Sequence, residues 1–396
     1  MASNSSMSEN QAGGIPLLYD PRVRGIVYQL LVFVAIVALV YWIVGNTVAN
    51  LQRAHIASGF GFLRGRAGFD ISQTLIPYTS DSTYARALLV GLLNTLYVSA
   101  LGVVTASIVG FLVGIGRLSR NWLIQKLCTI YVEIFRNIPP LLVIFFWYFG
   151  VLSVLPQARA SLSLPFGSYL NNRGFFLPAP VWGEGAILVL AALIAGIVAS
   201  IVIARWAYNR QMATGRQFHT ARAAVGLIVG LPLLAFIVTD FPVSFEYPKL
   251  GAFNLTGGVQ IKPEFLALFL ALSFYTAAFI AEIVRAGIMG VNKGQTEASY
   301  ALGLRSGPTM RLIIIPQALR IIIPPLSSQY LNLIKNSSLA IAIGYPDLVA
   351  VGGTILNQTG QSVEIVAIWM TIYLGISLIT SAFMNWFNAK MALVER

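Results

Sequence analysis

Two glutamate–arginine pairs lie in or near the long apolar runs of this sequence. Glu133 precedes Arg136 by three residues, and Glu282 precedes Arg285 by the same spacing. Residues three apart share one face of a helix, so each pair can form a local ion pair. A structural ion pair at the end of an apolar helix fits this pattern, and so does a latch to a partner or a gate.

A second polar group follows a later apolar run, at Lys335, Asn336, Ser337 and Ser338. It offers one cation and three hydrogen-bonding side chains, which are the groups that would bind a carboxylate. A lysine that extends its amine toward water, beside serines that cap a helix, fits the same residues equally well.

Catalytic and metal chemistry has little material here. Cys128 is the single cysteine, so an internal disulfide and a multi-cysteine metal site are excluded. His55 and His219 are the two histidines, which leaves few residues from which a histidine zinc site or a catalytic triad could be built. The sequence has no GxxxxGK[ST] phosphate loop, HExxH or GxSxG motif. ATP is therefore not held by a phosphate loop of this chain.

The most informative polar segment is 294–316. Thr296 is expected to cap a short helix that starts at Glu297, and Gly303 is expected to end it. Such a helix would lie across the end of the protein and present a small, shallow surface suited to a groove on another protein, formed by Ala298, Ala301 and Leu302. An ordinary connecting loop is the alternative.

The elements that position these residues are membrane helices. Of 396 residues, 57% are hydrophobic and 10% charged, and the mean hydropathy is +0.76. Soluble domains carry about 25% charged residues. The net charge of +12 comes from small clusters of bases between apolar runs, which is typical of membrane loops and not of nucleic-acid binding.

Runs long enough to cross the hydrocarbon core, about 20 residues each, predict eight spans. They are 26–49, 88–115, 127–152, 183–204, 222–239, 264–284, 323–343 and 363–388. The fourth is uniformly small and aliphatic and the fifth is similar. These two and the first are expected to face lipid, which leaves a core of five helices. Residues 1–25 are expected to form a cytosolic tail.

The distribution of bases predicts the orientation. With a cytosolic N-terminus, sixteen Lys and Arg fall on the inner side and eight on the outer side, so both termini are expected in the cytosol. The outer segments 153–182 and 240–263 alternate short apolar pieces with turn residues, which predicts a small β cap.

The segment 294–316 resembles the EAA loop of ABC importer permeases. The resemblance rests on Glu297-Ala298, on Gly303 six residues after the glutamate, and on Ile313 followed by Ile315-Pro316. The chain departs from the family pattern at two positions, with Ser299 in place of an alanine and Ile315 in place of a leucine. Further segments are similar to the polar-amino-acid branch of that family, at 94–96, 131–141, 275–288, 324–326 and 333–339. The extra first helix and the 156–262 insertion resemble the large permease of importers for general L-amino acids, or for glutamate, glutamine, aspartate and asparagine.

The resemblance implies an all-α integral membrane protein with a type I ABC importer permease core. The core is split into 88–152 and 264–388 by the insertion 153–263, and preceded by the extra helix 26–49. It further implies that an ATPase contacts Glu297, Ala298, Ser299, Ala301, Leu302, Gly303 and Pro316. The substrate-path candidates are Asn94, Thr95, Lys335, Asn336, Ser337 and Ser338.

The same resemblance implies a non-catalytic subunit of the bacterial inner membrane that imports L-amino acids, polar, acidic or amide. Its expected partners are an ABC ATPase dimer, a periplasmic binding protein and a second homologous permease, which is either a related chain or a copy of this one. ATP and Mg²⁺ would be bound by the ATPase and no cofactor by this chain. The alternative is a secondary transporter driven by an ion gradient. That class needs acids in mid-span and inverted halves, whereas the acids here cluster at span ends.

Overall fold

The computed structural model describes residues 21–53, 59–251 and 254–391. Most of these residues are helical, in twelve α-helices: α1 Pro21–Arg53, α2 Tyr84–Gly116, α3 Trp122–Asn137, α4 Pro140–Phe145, α5 Ala186–Thr214, α6 Thr220–Val238, α7 Pro263–Met289, α8 Lys293–Ala301, α9 Ser306–Thr309, α10 Ile315–Asn336, α11 Leu348–Thr359 and α12 Ser362–Met391. The first helix begins at Pro21, inside the predicted tail. Residues 1–20 of that tail and His55 lie outside the described residues.

The prediction of eight spans is confirmed in number. Seven described helices are long and apolar enough to cross a membrane, and α3 with α4 and its extension to Leu152 forms an eighth that bends by 112°. The bend lies where Pro140 opens α4 after the helical ladder of α3 has ended at Asn137. A proline has no N–H to continue the ladder and is best tolerated at a first helical turn.

The helix α7 forms the centre of the core and is the most deeply buried span of the described chain. It packs against α2, α3, α4 and α10. Small residues every four positions on α2 let its neighbours approach closely: Gly102, Ala106, Gly110 and Gly114 are all buried. Gly102 faces Leu333 of α10, and Gly110 and Gly114 face α7. A Cβ added to Gly110 would lie 2.6 Å from the Cβ of Ile280. Small residues at this spacing let helix backbones approach in membranes.

The three helices expected at the periphery are indeed outside this core. The helix α1 has almost no buried surface, and α5 packs mainly on α6 to form a separate hairpin. The exposed side chains of these helices are overwhelmingly apolar, as lipid-facing side chains are. The last helix, α12, contacts α10 and α11 and is otherwise exposed.

The predicted β cap is present in the insertion. An antiparallel sheet has the strand order β1-β2-β3-β8, with β1 Leu162–Leu164, β2 Ser168–Asn171, β3 Gly174–Leu177 and β8 Val259–Ile261. Two-stranded sheets pair β4 Ala179–Trp182 with β5 Val243–Glu246, and β6 Lys249–Leu250 with β7 Leu255–Thr256. The pairing of β3 with β8 joins the two loops of the insertion.

The helix α7 begins just after β8 and ends just before α8. The cap and α8 therefore lie at opposite ends of the bundle, called here the cap end and the α8 end. The short helix α11, which packs on α2 at the cap end, was not predicted from the sequence.

Candidate functional site

The short helix predicted at Glu297–Gly303 exists, but it begins one turn earlier. Asn292 caps it, because its Oδ1 accepts a hydrogen bond of 2.8 Å from the backbone N–H of Gly294. The expectation that Thr296 is the cap is wrong: its carbonyl lies within α8 and accepts from the hydroxyl of Ser299. Asparagine is among the best N-cap residues, so the helix begins directly after Asn292.

Gly303 ends α8 as predicted. Its φ is +76°, its N–H donates to the carbonyl of Tyr300 at 2.9 Å, and the N–H of Leu304 donates to Ser299 at 3.1 Å. These two bonds form a Schellman motif, in which a left-handed residue reverses the chain and satisfies the last carbonyls of the helix. Glycine adopts that conformation without strain.

The residues predicted to contact an ATPase lie mostly on the surface. Glu297, Ala298 and Ala301 are exposed, and the side chain of Leu302 is 81% exposed. Ser299 instead is buried, with 1% exposure, and faces its own chain. Pro316 is exposed in the first turn of α10. Their contact with an ATPase stays a prediction.

Close to the α8 end, one glutamate joins three helices. The carboxylate of Glu282 on α7 accepts from Arg117 at the end of α2, and from Arg285 with an N–O distance of 2.5 Å. The guanidinium of Arg136, in the last turn of α3, lies 3.8 Å from the same carboxylate. We call these four residues the Glu282 cluster.

The cluster confirms the expected pairing of Glu282 with Arg285 and corrects the other one. Glu133 is exposed and forms no ion pair with Arg136 in the described chain. Arg136 turns toward α7, where its Cζ also lies 5.8 Å above the ring of Phe279. The partly buried carboxylate attracts it more strongly than an exposed one, because water screens an exposed charge.

At the cap end, Asn94 and Thr95 hold the link between α10 and α11. The amide of Asn94 donates to the carbonyls of Gln73 and Pro346, both at 2.9 Å. The hydroxyl of Thr95 accepts from the N–H of Leu348 at 3.0 Å. Both side chains are fully buried, and these contacts support a structural role. Their place in a substrate path stays a prediction.

Asp347 lies in the same link and was not singled out from the sequence. Its Oδ1 caps α11 by accepting from the N–H of Ala350 at 2.8 Å. Its Oδ2 has no hydrogen-bond partner within the described chain. Burial raises the pKa of Asp347 to about 7.

The substrate-path candidates at the end of α10 and in the 3₁₀ segment Ser337–Ile343 that follows it divide into two groups. The hydroxyls of Ser337 and Ser338 bond back to carbonyls one turn earlier, and Asn336 ends the helix, half-buried. Lys335 is exposed, without an ion-pair partner among residues 21–53, 59–251 and 254–391.

Two further polar residues share the exposed edge of α10 with Lys335. Ser328 and Asn332 precede it by seven and three residues and are also exposed. This spacing puts the three on one face, over about 10 Å of helix. The peripheral helices α1, α5 and α6 instead expose large apolar side chains along their length. Ser328 and Asn332 were not singled out from the sequence, although their spacing from Lys335 within an apolar run indicates one polar face of a helix.

The fold and these two ends define a membrane permease. A profile of the family described as the binding-protein-dependent transport system inner membrane component matches residues 221–393. The chain belongs to this family, the permease subunits of ABC transporters, as its similarity to full-length members also shows.

Those members are permeases for amino acids. The general L-amino acid transport system permease protein AapQ of Rhizobium johnstonii is 68% identical over 96% of this chain and 95% of its own. The putative amino-acid ABC transporter permease protein YhdX of Escherichia coli K12 is 53% identical, covering 95% and 96%. The glutamate/glutamine/aspartate/asparagine transport system permease protein BztB of Rhodobacter capsulatus is 42% identical, covering 96% of both chains.

Similarity over the whole length places this chain in the amino-acid class of ABC importer permeases, and decides against the ion-driven secondary transporter. The described helices fit a multi-pass protein of the inner membrane.

Proposed function

We propose that this chain is one of two permease subunits of an importer for L-amino acids, with a broad range that includes polar, acidic and amide side chains. The observation that carries the proposal is α8, an exposed helix closed by a left-handed glycine and directly continuous with the core helices. The relatives named for general L-amino acids and for acidic and amide amino acids support the substrate class.

Coupling to ATP occurs at α8. Its exposed residues Ala298, Ala301 and Leu302 enter a groove of a separate ATPase, which binds ATP and Mg²⁺ and performs hydrolysis. The amide of Gln317 on α10 donates to Gln295 of α8 at 3.3 Å, and the Glu282 cluster joins α2, α3 and α7 close by. Movement of α8 is thereby passed to the helices of the core.

The α8 end faces the cytosol and the cap end faces the periplasm, with both termini inside. The bias of sixteen bases to eight supports this orientation. A binding protein that carries the amino acid docks at the cap end. This chain itself binds no cofactor.

The second permease completes the path, and a related chain rather than an identical copy fits the enlarged first half. The polar edge of α10 faces this path, because Ser328, Asn332 and Lys335 would be costly against lipid. The ammonium of Lys335 offers an attractive contact for the carboxylate of a passing amino acid.

The test is uptake of labelled amino acids in cells that lack the chain and receive it back with its partner subunits. We expect uptake that survives collapse of the ion gradients while ATP is maintained. A partner ATPase with its phosphate-loop lysine replaced should abolish uptake. Uptake that follows the ion gradient and ignores the ATPase variant would overturn the proposal.

A further inference from the structure

A basic cavity lies behind α8, on the side away from the exposed docking face. It has a volume of about 560 Å³ and is bounded by the end of α7, by α8, by α9 and by the loop between α2 and α3. Its polar lining consists of Arg120, Lys293, Thr296, Tyr300, Ser306 and Thr309. These are two cations and four hydroxyls, and the lining includes no carboxylate among the residues that the structure describes.

The donors of the cavity are not used inside the chain. Arg120 and Lys293 are exposed and form no ion pair within the described ranges. The hydroxyl of Thr309 is buried, with the residue 2% exposed, and has no hydrogen-bond partner in the same part of the chain. A buried hydroxyl without a partner costs free energy, so the cavity has the composition of a site for an anion.

The position of the cavity selects the source of the anion. Its apolar lining includes Met289, Met310 and Ile314, which lie at the ends of the candidate membrane spans Pro263–Met289 and Ser306–Ile343. Lipid head groups occupy this depth, and basic pockets between membrane helices on the cytosolic side bind anionic head groups. A free anion would gain nothing from the apolar lining.

We propose that this cavity binds the phosphate head group of an anionic phospholipid of the inner leaflet, and that the lipid fixes α8 against α7 and α9. Arg120 and Lys293 contact the phosphate, and Thr309 donates its hydroxyl from the interior. This proposal takes one point from the proposed function, namely that α8 lies on the cytosolic side of the membrane.

The experiment uses the complete transporter, with its ATPase, in nanodiscs of phosphatidylcholine with increasing fractions of phosphatidylglycerol. Native mass spectrometry measures retained lipid, and ATP hydrolysis stimulated by binding protein and amino acid measures coupling. The variants are Thr309→Val and the pair Arg120→Gln with Lys293→Gln. The matched control is Arg216→Gln with Arg222→Gln, which removes two bases of the same side outside the cavity.

We expect wild type and control to retain phosphatidylglycerol and to be stimulated by it. The double variant should need at least about tenfold more of this lipid for half-maximal stimulation, since each base near the surface contributes roughly fivefold. Thr309→Val, which is nearly isosteric and should fold, should raise the requirement to a smaller degree.

Three results would overturn the proposal. Equal losses in the control would show a general surface charge effect, and equal stimulation by inorganic phosphate in phosphatidylcholine alone would show a free-anion site. Loss of the ATPase from the double variant in both lipids would show that a partner's carboxylate occupies the cavity. Lipid retention and ATP hydrolysis are measured separately. A wild-type transporter that retains lipid but whose ATP hydrolysis is not stimulated by amino acid would contradict the proposed function and would leave the lipid site intact.

Discussion

Arg117 and Glu282 are 165 residues apart in the sequence, and they form an ion pair between the ends of α2 and α7. With Arg136 and Arg285 on the same carboxylate, one acidic side chain joins three helices beside α8. The pair lies between the proposed coupling helix and the centre of the core.

Glu282→Gln should uncouple the transporter. The amide keeps the shape but loses the charge that three guanidinium groups share, and hydrogen bonds to charged groups contribute about 1.5–3 kcal/mol. We expect the melting temperature to fall and amino-acid uptake to drop by tenfold or more, on the order of 1.4 kcal/mol. Glu133→Gln, at an exposed glutamate outside the cluster, should leave both measurements near wild type. Equal effects of the two variants would remove the special role of Glu282.

Gly110→Ala should loosen the contact of α2 with α7. The added Cβ would lie 2.6 Å from Ile280, and overpacking of this kind costs typically about 1–3 kcal/mol. Gly226→Ala on α6 is the control, since a Cβ there meets nothing within 4 Å and alanine favours the helix by roughly 0.5–1 kcal/mol. Thermal unfolding in detergent should move in opposite directions for the two. A stable Gly110→Ala protein would contradict the close packing.

Asp347 should make stability depend on pH. Its pKa is raised to about 7 from an ordinary 3.8, so between these values the folded state holds a proton that the unfolded state has lost. Stability therefore falls as the pH rises from about 4 to 7 and levels off above 7. Asp347→Asn keeps an oxygen for the N–H of Ala350 and removes the charge.

The asparagine variant should accordingly melt higher than wild type at pH 8 and show a smaller difference at pH 5. Melting curves at the two pH values make the comparison. A wild-type advantage at pH 8 would mean that the buried carboxylate is charged and paired.

The edge of α10 should be reached by water. In a Cys128→Ser background, Asn332→Cys should react with a membrane-impermeant thiol reagent in the assembled transporter, because that edge is polar and exposed. Ile197→Cys on α5, exposed at a lipid-facing position, should react only with a lipid-soluble reagent. The reverse pattern would place α5 and not α10 along the path.

Local signals in the sequence predicted the features that local physics controls. Hydropathy predicted the spans, alternation predicted the cap, and Gly303 predicted the helix end, because each depends on neighbours within a few residues. Family resemblance supplied what composition cannot, namely the role assigned to 294–316.

Contacts between distant segments could not be predicted in this way. The i,i+3 rule pairs Glu133 with Arg136 as readily as Glu282 with Arg285, and only the packing of α3 on α7 makes Glu282 the partner of Arg136. Asp347 and α11 were missed for a similar reason, since a short helix is defined by the surface of α2 on which it lies.

The most direct test of the central claim compares two glycines in the same conformation. Gly303 and Gly215 both end helices with φ near +70° to +76°, and a Cβ at either meets nothing within 4 Å. Substitution by aspartate therefore imposes a similar strain at both positions, and the two variants differ only in where the strain lies, at the end of α8 or at the end of α5.

The measurement is uptake of labelled amino acid together with co-purification of the ATPase. If α8 couples the ATPase to the core, Gly303→Asp abolishes uptake and loosens the ATPase while membrane insertion survives, and Gly215→Asp retains both. Normal uptake with Gly303→Asp, or equal loss in the two variants, would contradict the account.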